Sequence, residues 1–329
     1  MVGAGSVEVI DYAEAPTEPV SRGPLKKGIL GGLAGAVLAC GVLVLLFLLD
    51  RKVDSIKELE QSYTPPVLAT IRRMKKKTSV ASDFLLGPHA ARDQFESYAK
   101  LRMNLMYALQ GKEHGAVVIT STISGEGKST IAADLAVSCA MSCGRVLLVD
   151  ADMRRGCQAQ IFNYDEESPG LSEILTQKKD WRECVLATEQ DALDVLPAGH
   201  LPSDPAELMA SMEMSDLLKE LNEAYKLVLI DVPPINIVSD PLMLSDIVTG
   251  CLFVVRQGYT DHREIRKALI AAEMTRMEVL GFVFYGEKTE SDHYYAKKYY
   301  DHYYHNYEDR ALADDGREKK GARLFHEQK

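Results

Sequence analysis

The ten residues STISGEGKST, from 121 to 130, constrain the fold of this chain more than any other stretch. The apolar run 117–119 precedes them, and residues 131–141 follow with apolar side chains at helical spacing. A glycine-bearing turn between a buried strand and a helix lets consecutive backbone N–H groups point at one phosphate. The helix that begins there adds the positive end of its dipole. This stretch therefore predicts a phosphate-binding loop.

The residue types in this loop match the contacts that a nucleotide phosphate needs. Lys128 supplies a positive charge to the outer phosphates, and the Ser129 hydroxyl is a ligand for Mg²⁺. The pattern departs from G-x4-G-K-[ST] at its first glycine position, which is Thr122. The predicted cofactor-binding residues are Gly125, Glu126, Gly127, Lys128, Ser129 and Thr130.

Carboxylates end two further apolar runs. Residues 146–149 lead into Asp150 and Asp152, and residues 226–230 lead into Asp231. Parallel α/β sheets place ligand groups at the carboxyl ends of their strands. Helix capping explains each carboxylate singly, but strand ends beside one phosphate loop together predict a Mg²⁺–nucleotide site.

Further apolar runs indicate the fold class. Strands are predicted at 193–196, 251–256 and 279–284, with helices between them. Strands that alternate with helices favour a parallel sheet covered on both faces. We therefore predict an α/β fold, a P-loop NTPase-type parallel sheet flanked by helices, preceded by one transmembrane helix and followed by a flexible tyrosine-rich tail.

Three motifs carry a resemblance to a known family: DADMRR at 150–155, PAGHLPSDPAEL at 197–208 and DVPP at 231–234. Together they resemble the bacterial tyrosine autokinases of capsule and exopolysaccharide export, over roughly residues 85–287. The resemblance implies ATP and Mg²⁺ as cofactors. It also implies kinship with the ATPases of septum placement and plasmid partitioning. Those ATPases carry a lysine early in the loop, where this chain has Ile123, and this difference favours the kinase branch.

Phosphoryl transfer needs positioned charge more than covalent chemistry, which limits the catalytic roles to a few residues. Asp152 is our candidate to accept the tyrosine proton, although the division of roles between Asp150 and Asp152 is open. Tyr285 stands where relatives usually place an asparagine near the adenine, so the phenol ring is a candidate to stack on the base. The predicted catalytic residues are Lys128, Asp150, Asp152 and Asp231, and the predicted metal-binding residues are Ser129, Asp150 and Asp231.

An amphipathic helix is predicted over 92–109, just before the phosphate loop. In the resembled family this helix carries E-x-x-R-x-x-R, which joins neighbouring copies in a ring. Glu96 and Arg102 match that motif and are the predicted oligomer contacts, whereas Ala99 replaces the middle arginine. A helix that only packs on the sheet is the alternative. The side chains at core-like spacing are Phe95, Leu101, Leu105 and Leu109.

Residues 28–49 carry no charge over 22 positions, which as a helix is about 33 Å and enough to cross a bilayer. Basic residues on both sides favour a cytoplasmic carboxyl side only mildly, and the predicted ATP site requires that side to be cytosolic. Residues 7–27 resemble the end of the external part of polysaccharide chain-length determinants. Either a partner chain supplies the rest of such a protein or this chain is a shortened version.

Composition limits the partners and the compartment. A formal net charge of −10 argues against a nucleic-acid partner. None of the six cysteines forms a CxxC pair, and we interpret them as reduced cytosolic thiols. Cys139 and Cys143 lie four residues apart on a predicted helix, where small buried thiols are commoner than a metal clip.

The carboxyl-terminal region concentrates tyrosines: seven of the chain's fifteen lie within fourteen residues. Charged residues are interleaved with them and aliphatic residues are absent, so we predict an exposed, mobile tail rather than a buried aromatic stripe. A phenol cluster joined to an ATP site is a substrate, and transfer between neighbouring copies is its natural geometry. The predicted phosphoacceptors are Tyr294, Tyr295, Tyr299, Tyr300, Tyr303, Tyr304 and Tyr307.

These predictions divide the chain into five segments. They are a short extracytoplasmic segment (1–27), a transmembrane helix (28–49), a cytoplasmic linker (50–90), a P-loop tyrosine kinase domain (91–288) and a tyrosine-cluster and charged disordered tail (289–329). In the linker, the basic run at 72–77 favours contact with anionic lipid.

The sequence thus predicts a single-pass protein of the plasma membrane that is a protein tyrosine autokinase regulating capsular or exopolysaccharide polymerisation and export. The expected partners are other copies of the chain, a polysaccharide co-polymerase with its export machinery, a protein tyrosine phosphatase and membrane lipid. Two alternatives stay open: an ATPase switch of the partitioning type, and a scaffold whose nucleotide site only controls assembly.

Overall fold

The computed structural model of the protein describes residues 24–49, 51–73, 92–110 and 115–286. These residues belong to two compact units, one that ends at Arg51 and one that begins at Lys52. Three predicted features lie outside the described residues: the extracytoplasmic segment before residue 24, the linker between 74 and 91, and the tyrosine-rich tail.

The first unit contains one long helix, α1 (Pro24–Leu49), which includes the predicted membrane span. From Lys26 to Leu45 its mean hydropathy is 2.3, and this stretch is exposed along its whole length. Among the described residues it is the one helix long and apolar enough to cross a membrane.

The second unit is built on one eight-stranded sheet in the order β1-β8-β7-β2-β6-β3-β5-β4. All neighbouring strands are parallel except β4, which runs antiparallel to β5. The predicted parallel sheet is therefore confirmed. The strands are β1 (Val67–Arg72), β2 (Ala116–Ser121), β3 (Val146–Asp150), β4 (Leu186–Ala187), β5 (Leu193–Leu196), β6 (Leu227–Asp231), β7 (Gly250–Arg256) and β8 (Val279–Gly286).

Helices cover both faces of this sheet, as the two-sided burial of its strands requires. A short 3₁₀ helix spans Asp240–Leu244. The α-helices of the second unit are α2 (Ile56–Ser62), α3 (Arg92–Ala108), α4 (Lys128–Cys143), α5 (Gln158–Ile161), α6 (Leu171–Gln177), α7 (Trp181–Cys184), α8 (Pro205–Met209), α9 (Met212–Ala224) and α10 (His262–Met274).

The side chains of β2 show how the sheet divides the interior into two cores. Val118 joins one cluster, which includes Leu217 of α9 and Ile265 of α10. Val117 and Ile119 point the other way into a second cluster with residues of α3 and α4. All six residues of β2 are buried, because alternate side chains of a strand face opposite sides of the sheet. This central strand delivers the phosphate loop at its carboxyl end.

The first half of the predicted 50–90 linker differs from the prediction, because it is folded into the second unit. It contains α2, and β1 forms an edge of the sheet by pairing with β8. Leu59 of α2 is fully buried, and Ile71 of β1 is 1% exposed. The run VLATIR is short and follows two prolines, so its pattern did not distinguish an edge strand from a tether. Its partners are more than 200 residues away in sequence.

Helix α3 is confirmed, with one error in the predicted core. Leu101 and Leu105 are fully buried, but Phe95 is 41% exposed. Tyr98, one turn later, fills the interior instead and is 1% exposed. A single helix presents only one stripe to the sheet, and the stripe here is centred on Tyr98, Leu101 and Leu105.

The two predicted oligomer contacts on α3 differ in their surroundings. Glu96 is exposed. Arg102 is partly buried, and its Nη1 donates to the carbonyl oxygen of Ser138 at 2.6 Å and to the Ser138 hydroxyl at 3.2 Å. Arg102 therefore ties α3 to α4 within one chain, and a ring contact through it stays a prediction.

The cysteines are all free thiols. Cys139 is buried and Cys143 is partly buried on α4. Within the described residues there is no group of three or more metal-ligating side chains that includes them.

Candidate nucleotide-binding site

The loop between β2 and α4 has the backbone shape that its glycines predict. Gly125 has φ of 87° and Gly127 has φ of 94°, the left-handed region that residues with a Cβ avoid. A Cβ on Gly127 would also lie 2.8 Å from Cε1 of Tyr285. Both glycines are therefore required by conformation, and Gly127 also by the close approach of an aromatic ring.

Glu126 lies inside the loop rather than on its surface, with its side chain fully buried. Its Oε2 accepts the backbone N–H of Thr122 at 2.6 Å and of Ile123 at 2.9 Å. Its Oε1 accepts from the Thr260 hydroxyl. Burial raises the pKa of Glu126, and these hydrogen bonds oppose the rise. The Glu126 side chain thus shapes the loop, and only its backbone is available to a phosphate.

A second loop, residues 256–260 after β7, supports the phosphate loop from outside. Arg256 Nη1 donates to the carbonyl oxygen of Gly125 at 2.7 Å, and the Tyr259 hydroxyl donates to that of Ser124 at 3.0 Å. The Arg256 guanidinium also lies 4.6 Å from the centre of the Tyr259 ring. With the Thr260–Glu126 contact, this loop orients the phosphate loop, and sequence reasoning missed all three residues.

Lys128, at the start of α4, gathers the predicted catalytic groups. Its Nζ is 3.0 Å from Oδ2 of Asp152, 3.2 Å from Oδ1 of Asp231 and 3.1 Å from the Ser129 hydroxyl. The side chain of Lys128 is 12% exposed and that of Asp231 is fully buried. Burial alone would lower the pKa of Lys128, but the Asp231 and Asp152 carboxylates outweigh it and raise the pKa. The ammonium group is therefore charged and is held where phosphate oxygens would approach.

Asp150 is placed differently from the other predicted carboxylates. Its Oδ1 accepts the backbone N–H of Asp152 at 3.2 Å, and its Oδ2 accepts those of Cys157 and Gln158 at 2.8 Å each. Burial and then the Asp231 charge raise the pKa of Asp150 above its ordinary range. Through these contacts Asp150 shapes the 150–158 loop, and a role in metal binding stays a prediction.

Gln158 is a residue of this site that sequence reasoning missed. Its Nε2 donates to Oδ2 of Asp231 at 2.7 Å and to the carbonyl oxygen of Ser129 at 3.1 Å. No motif in the residues after DADMRR predicts a role for Gln158, because its hydrogen-bond partners lie 29 and 73 residues away in sequence.

An open cavity of about 470 Å³ lies over these groups. Its lining includes polar groups of the phosphate loop and Asp152, and also the apolar side chains of Pro233 and Ile237. Ile237 is 61% exposed. Arg154 stands at the rim, with Nε 3.2 Å from Oδ2 of the buried Asp240. Arg155 is exposed, and its backbone N–H donates to Oδ1 of Asp152 at 3.0 Å.

The donor set fits a magnesium–nucleotide complex. Backbone N–H groups, the start of a 16-residue helix and one charged lysine suit phosphate oxygens. The Ser129 hydroxyl and the Asp231 carboxylate, both beside Lys128, are hard oxygen ligands of the kind that Mg²⁺ prefers. Gln158 Oε1 is buried without a hydrogen-bond partner among the described residues, which leaves an acceptor free beside these ligands.

The predicted residue set is thus only partly assembled within the described chain. Lys128, Ser129, Asp152 and Asp231 lie within one hydrogen-bonded cluster, while Asp150 adjoins it through the backbone. Tyr285 packs against Gly127 behind the phosphate loop. The seven tail tyrosines lie outside the described residues.

Comparison with known proteins agrees with this geometry. The family model described as an AAA domain matches residues 116–252. Tyrosine-protein kinase YwqD of Bacillus subtilis (strain 168) is 37% identical over 193 residues, 59% of this chain and 81% of that protein. Putative tyrosine-protein kinase CapB of Staphylococcus aureus is 32% identical over 225 residues, 68% of this chain and 98% of that protein.

A solved structure agrees as well, that of the chimerical protein CapA2B2. It has a TM-score of 0.65 and 32% identity, and covers 70% of this chain and 98% of its own. Tyrosine-protein kinase ptk of Acinetobacter johnsonii is 29% identical over 289 residues, but this chain spans only 39% of that protein's length. The site and these similarities together show that the chain belongs to the family of bacterial tyrosine-protein kinases.

Proposed function

We propose that the chain is a membrane-anchored, ATP-dependent tyrosine autokinase that regulates capsular or exopolysaccharide polymerisation and export. The observation that supports it most is the Lys128 cluster, where one ammonium group contacts Asp152 and Asp231 beside the Ser129 hydroxyl. A relative named as a tyrosine-protein kinase is 37% identical over 193 residues.

In this proposal each residue of the cluster has one task in moving the γ-phosphoryl group from ATP to a phenol. Lys128 neutralises phosphate oxygens, and Ser129 and Asp231 hold Mg²⁺. Mg²⁺, when bound, supplies further positive charge to the phosphates. Asp152 accepts the phenol proton as the new O–P bond forms and the bond to the ADP oxygen breaks. Asp152 suits the task because its Oδ1 is held by Arg155 N–H and its side chain is 8% exposed.

The acceptors in this proposal are the seven tail tyrosines of a second copy of the chain. Phosphorylation of all seven would add roughly −10 to −14 charges, at about −1.5 to −2 for each phosphate. Tails packed beside one another would then repel, which supplies a switch between assembled and dispersed copies.

The surroundings of the kinase are also part of the proposal. Helix α1 anchors the chain in the plasma membrane with the nucleotide site in the cytosol. The partners are a polysaccharide co-polymerase with its export machinery, a protein tyrosine phosphatase and anionic lipid near the basic run at 72–77.

The test is detection of phosphotyrosine on the full chain in lipid, after incubation with ATP and Mg²⁺. We expect a signal from the wild type that disappears in Lys128→Met and in a variant with all seven tail tyrosines changed to phenylalanine. Lys219→Met is the matched control, because Lys219 is exposed on α9 and pairs with Asp216 of the same helix.

Two outcomes would contradict the proposal. A signal that survives Lys128→Met would mean that another kinase phosphorylates the chain, as the scaffold alternative requires. ATP hydrolysis without phosphotyrosine in lipid would favour the ATPase-switch alternative.

A further inference from the structure

The side chain of Gln158, at the start of α5, lies fully inside the protein beneath the nucleotide site. Its Nε2 lies 2.7 Å from Oδ2 of Asp231 and 3.1 Å from the carbonyl oxygen of Ser129. Both partners can only accept a hydrogen bond, so chemistry requires the nitrogen of the amide at this position. The two N–H bonds of one amide therefore connect the phosphate loop to the strand-end carboxylate.

The backbone of the same residue makes a third connection. Gln158 N donates to Oδ2 of Asp150 at 2.8 Å. Gln158 thus contacts the phosphate loop, the β3 carboxylate and the β6 carboxylate, the three elements that form the site.

This arrangement leaves Asp231 little freedom to rotate. Lys128 Nζ lies 3.2 Å from its Oδ1, and Gln158 Nε2 occupies its Oδ2. Hydrogen bonds to an ionised group are the stronger class, and a buried carboxylate keeps them. If Gln158 could not donate, only Lys128 would orient the carboxylate, and a bound nucleotide would draw Lys128 toward its phosphates.

The oxygen of the Gln158 amide differs from its nitrogen in having no partner in the described part of the chain. Gln158 Oε1 is buried and has no hydrogen-bond partner among the residues that the structure describes. An unpaired buried acceptor is unfavourable, so a side chain that served only to fill space here would be better apolar. The free oxygen instead suits a water molecule of a hydrated cation.

We propose that Gln158 is a positioning residue that holds Ser129 and Asp231 in the arrangement for Mg²⁺ binding and thereby sets the Mg²⁺ affinity of the nucleotide complex. This inference rests on the proposed nucleotide site and adds a determinant of its metal affinity. Gln158 does not touch the transferred group, so it acts through Asp231 and Ser129.

The experiment measures Mg²⁺ dependence on the full chain in detergent micelles. At fixed ADP, Mg²⁺ is titrated and the unfolding temperature is followed by the fluorescence of Trp181, the chain's one tryptophan, which is 8% exposed. Gln158→Met keeps the length of the side chain and removes its donors. Gln160→Met on the same short helix is the matched control, because Gln160 is exposed.

We expect Q158M to raise the half-maximal Mg²⁺ concentration about tenfold, which is about 1.4 kcal/mol of binding free energy. Stabilisation by ADP without metal should stay at the wild-type value, and Q160M should match the wild type throughout. If Q158M does not fold, Gln158→Leu is the second variant, because it also lacks a donor and carries no charge, and the same shift is expected.

An unchanged half-maximal Mg²⁺ concentration in Q158M would overturn the inference and leave Gln158 a packing residue. Loss of the metal-free ADP effect would also overturn it, since Gln158 would then support the phosphate loop rather than the metal. A wild-type chain that does not respond to ADP and Mg²⁺ would instead overturn the nucleotide site of the proposed function. The wild-type titration thus separates the two failures.

Discussion

Asp134 on α4 is a buried carboxyl group whose removal should stabilise the protein. It is 3% exposed, and its Oδ1 has no hydrogen-bond partner among the described residues. Burial raises its pKa from 3.8 to about 8, against a smaller lowering by the Tyr98 hydroxyl. A carboxylate there would be charged in an apolar interior between α3 and the sheet, which is costly.

The size of the effect follows from linkage between protonation and folding. In the unfolded chain Asp134 loses its proton near pH 4, and in the folded chain near pH 8. The folded state therefore binds more protons between these values, and its stability falls as pH rises through that window. Each pH unit is worth about 1.4 kcal/mol, so the loss reaches about 4 kcal/mol by pH 7.

Asp134→Asn tests this reasoning because the amide has nearly the same shape and no charge at any pH. We expect the variant to be more stable than the wild type by roughly 1 to 2 kcal/mol at pH 5 and about 4 kcal/mol at pH 7. Urea unfolding of both chains in micelles, followed by Trp181 fluorescence, measures the difference at each pH. Asp191→Asn is the control, since Asp191 is exposed.

A difference between Asp134→Asn and the wild type that does not change with pH would refute the burial argument. So would a variant that is less stable than the wild type at pH 7. Other titrating groups cancel in the comparison, because both chains contain them.

Two further predictions concern the phosphate loop. Thr260→Val removes the hydroxyl that donates to buried Glu126, so we expect about 1 to 3 kcal/mol less stability in urea unfolding. It should also weaken ADP binding by calorimetry; unchanged binding would show that the loop keeps its shape without Thr260. Gly127→Ala should abolish ADP binding, because its φ of 94° and the Tyr285 ring at 2.8 Å exclude a Cβ. Gly258→Ala is the control for backbone strain alone, because Gly258 also has positive φ but an added Cβ there would lie 3.7 Å from its nearest neighbour, Asp54 Oδ1. Equal losses of ADP binding in the two variants would contradict the argument from the Tyr285 contact.

The central part of the fold could be predicted because its signals are local. Each of β2, β3 and β6 is an apolar run of a few residues that ends in a polar motif, and all three are buried as expected. Parallel strands bring their carboxyl ends to one edge, so Lys128, Asp152 and Asp231 were expected together, and both carboxylates lie within 3.2 Å of Lys128 Nζ.

Other features depend on partners that are distant in sequence. The run at 67–72 becomes a strand by pairing with β8, and Phe95 lies outside the buried stripe of α3, which contains Tyr98. Asp150 was grouped with the metal-binding residues by its position at a strand end. The direction of its side chain, toward the N–H groups of Cys157 and Gln158, depends on how the following loop folds back.

The sequence by itself determined the fold class and the chemistry of the loop, because hydrophobic periodicity and glycine conformation act within a few residues; the class of protein rested on the resemblance carried by its motifs. Only the tertiary structure decided which groups support that chemistry. Gln158 meets Asp231 across 73 positions, and Thr260 meets Glu126 across 134. The residues next to a donor carry no sequence signal for an acceptor that is distant in the chain. Hydrogen bonds of this range can therefore be identified only from the folded sheet and its loops.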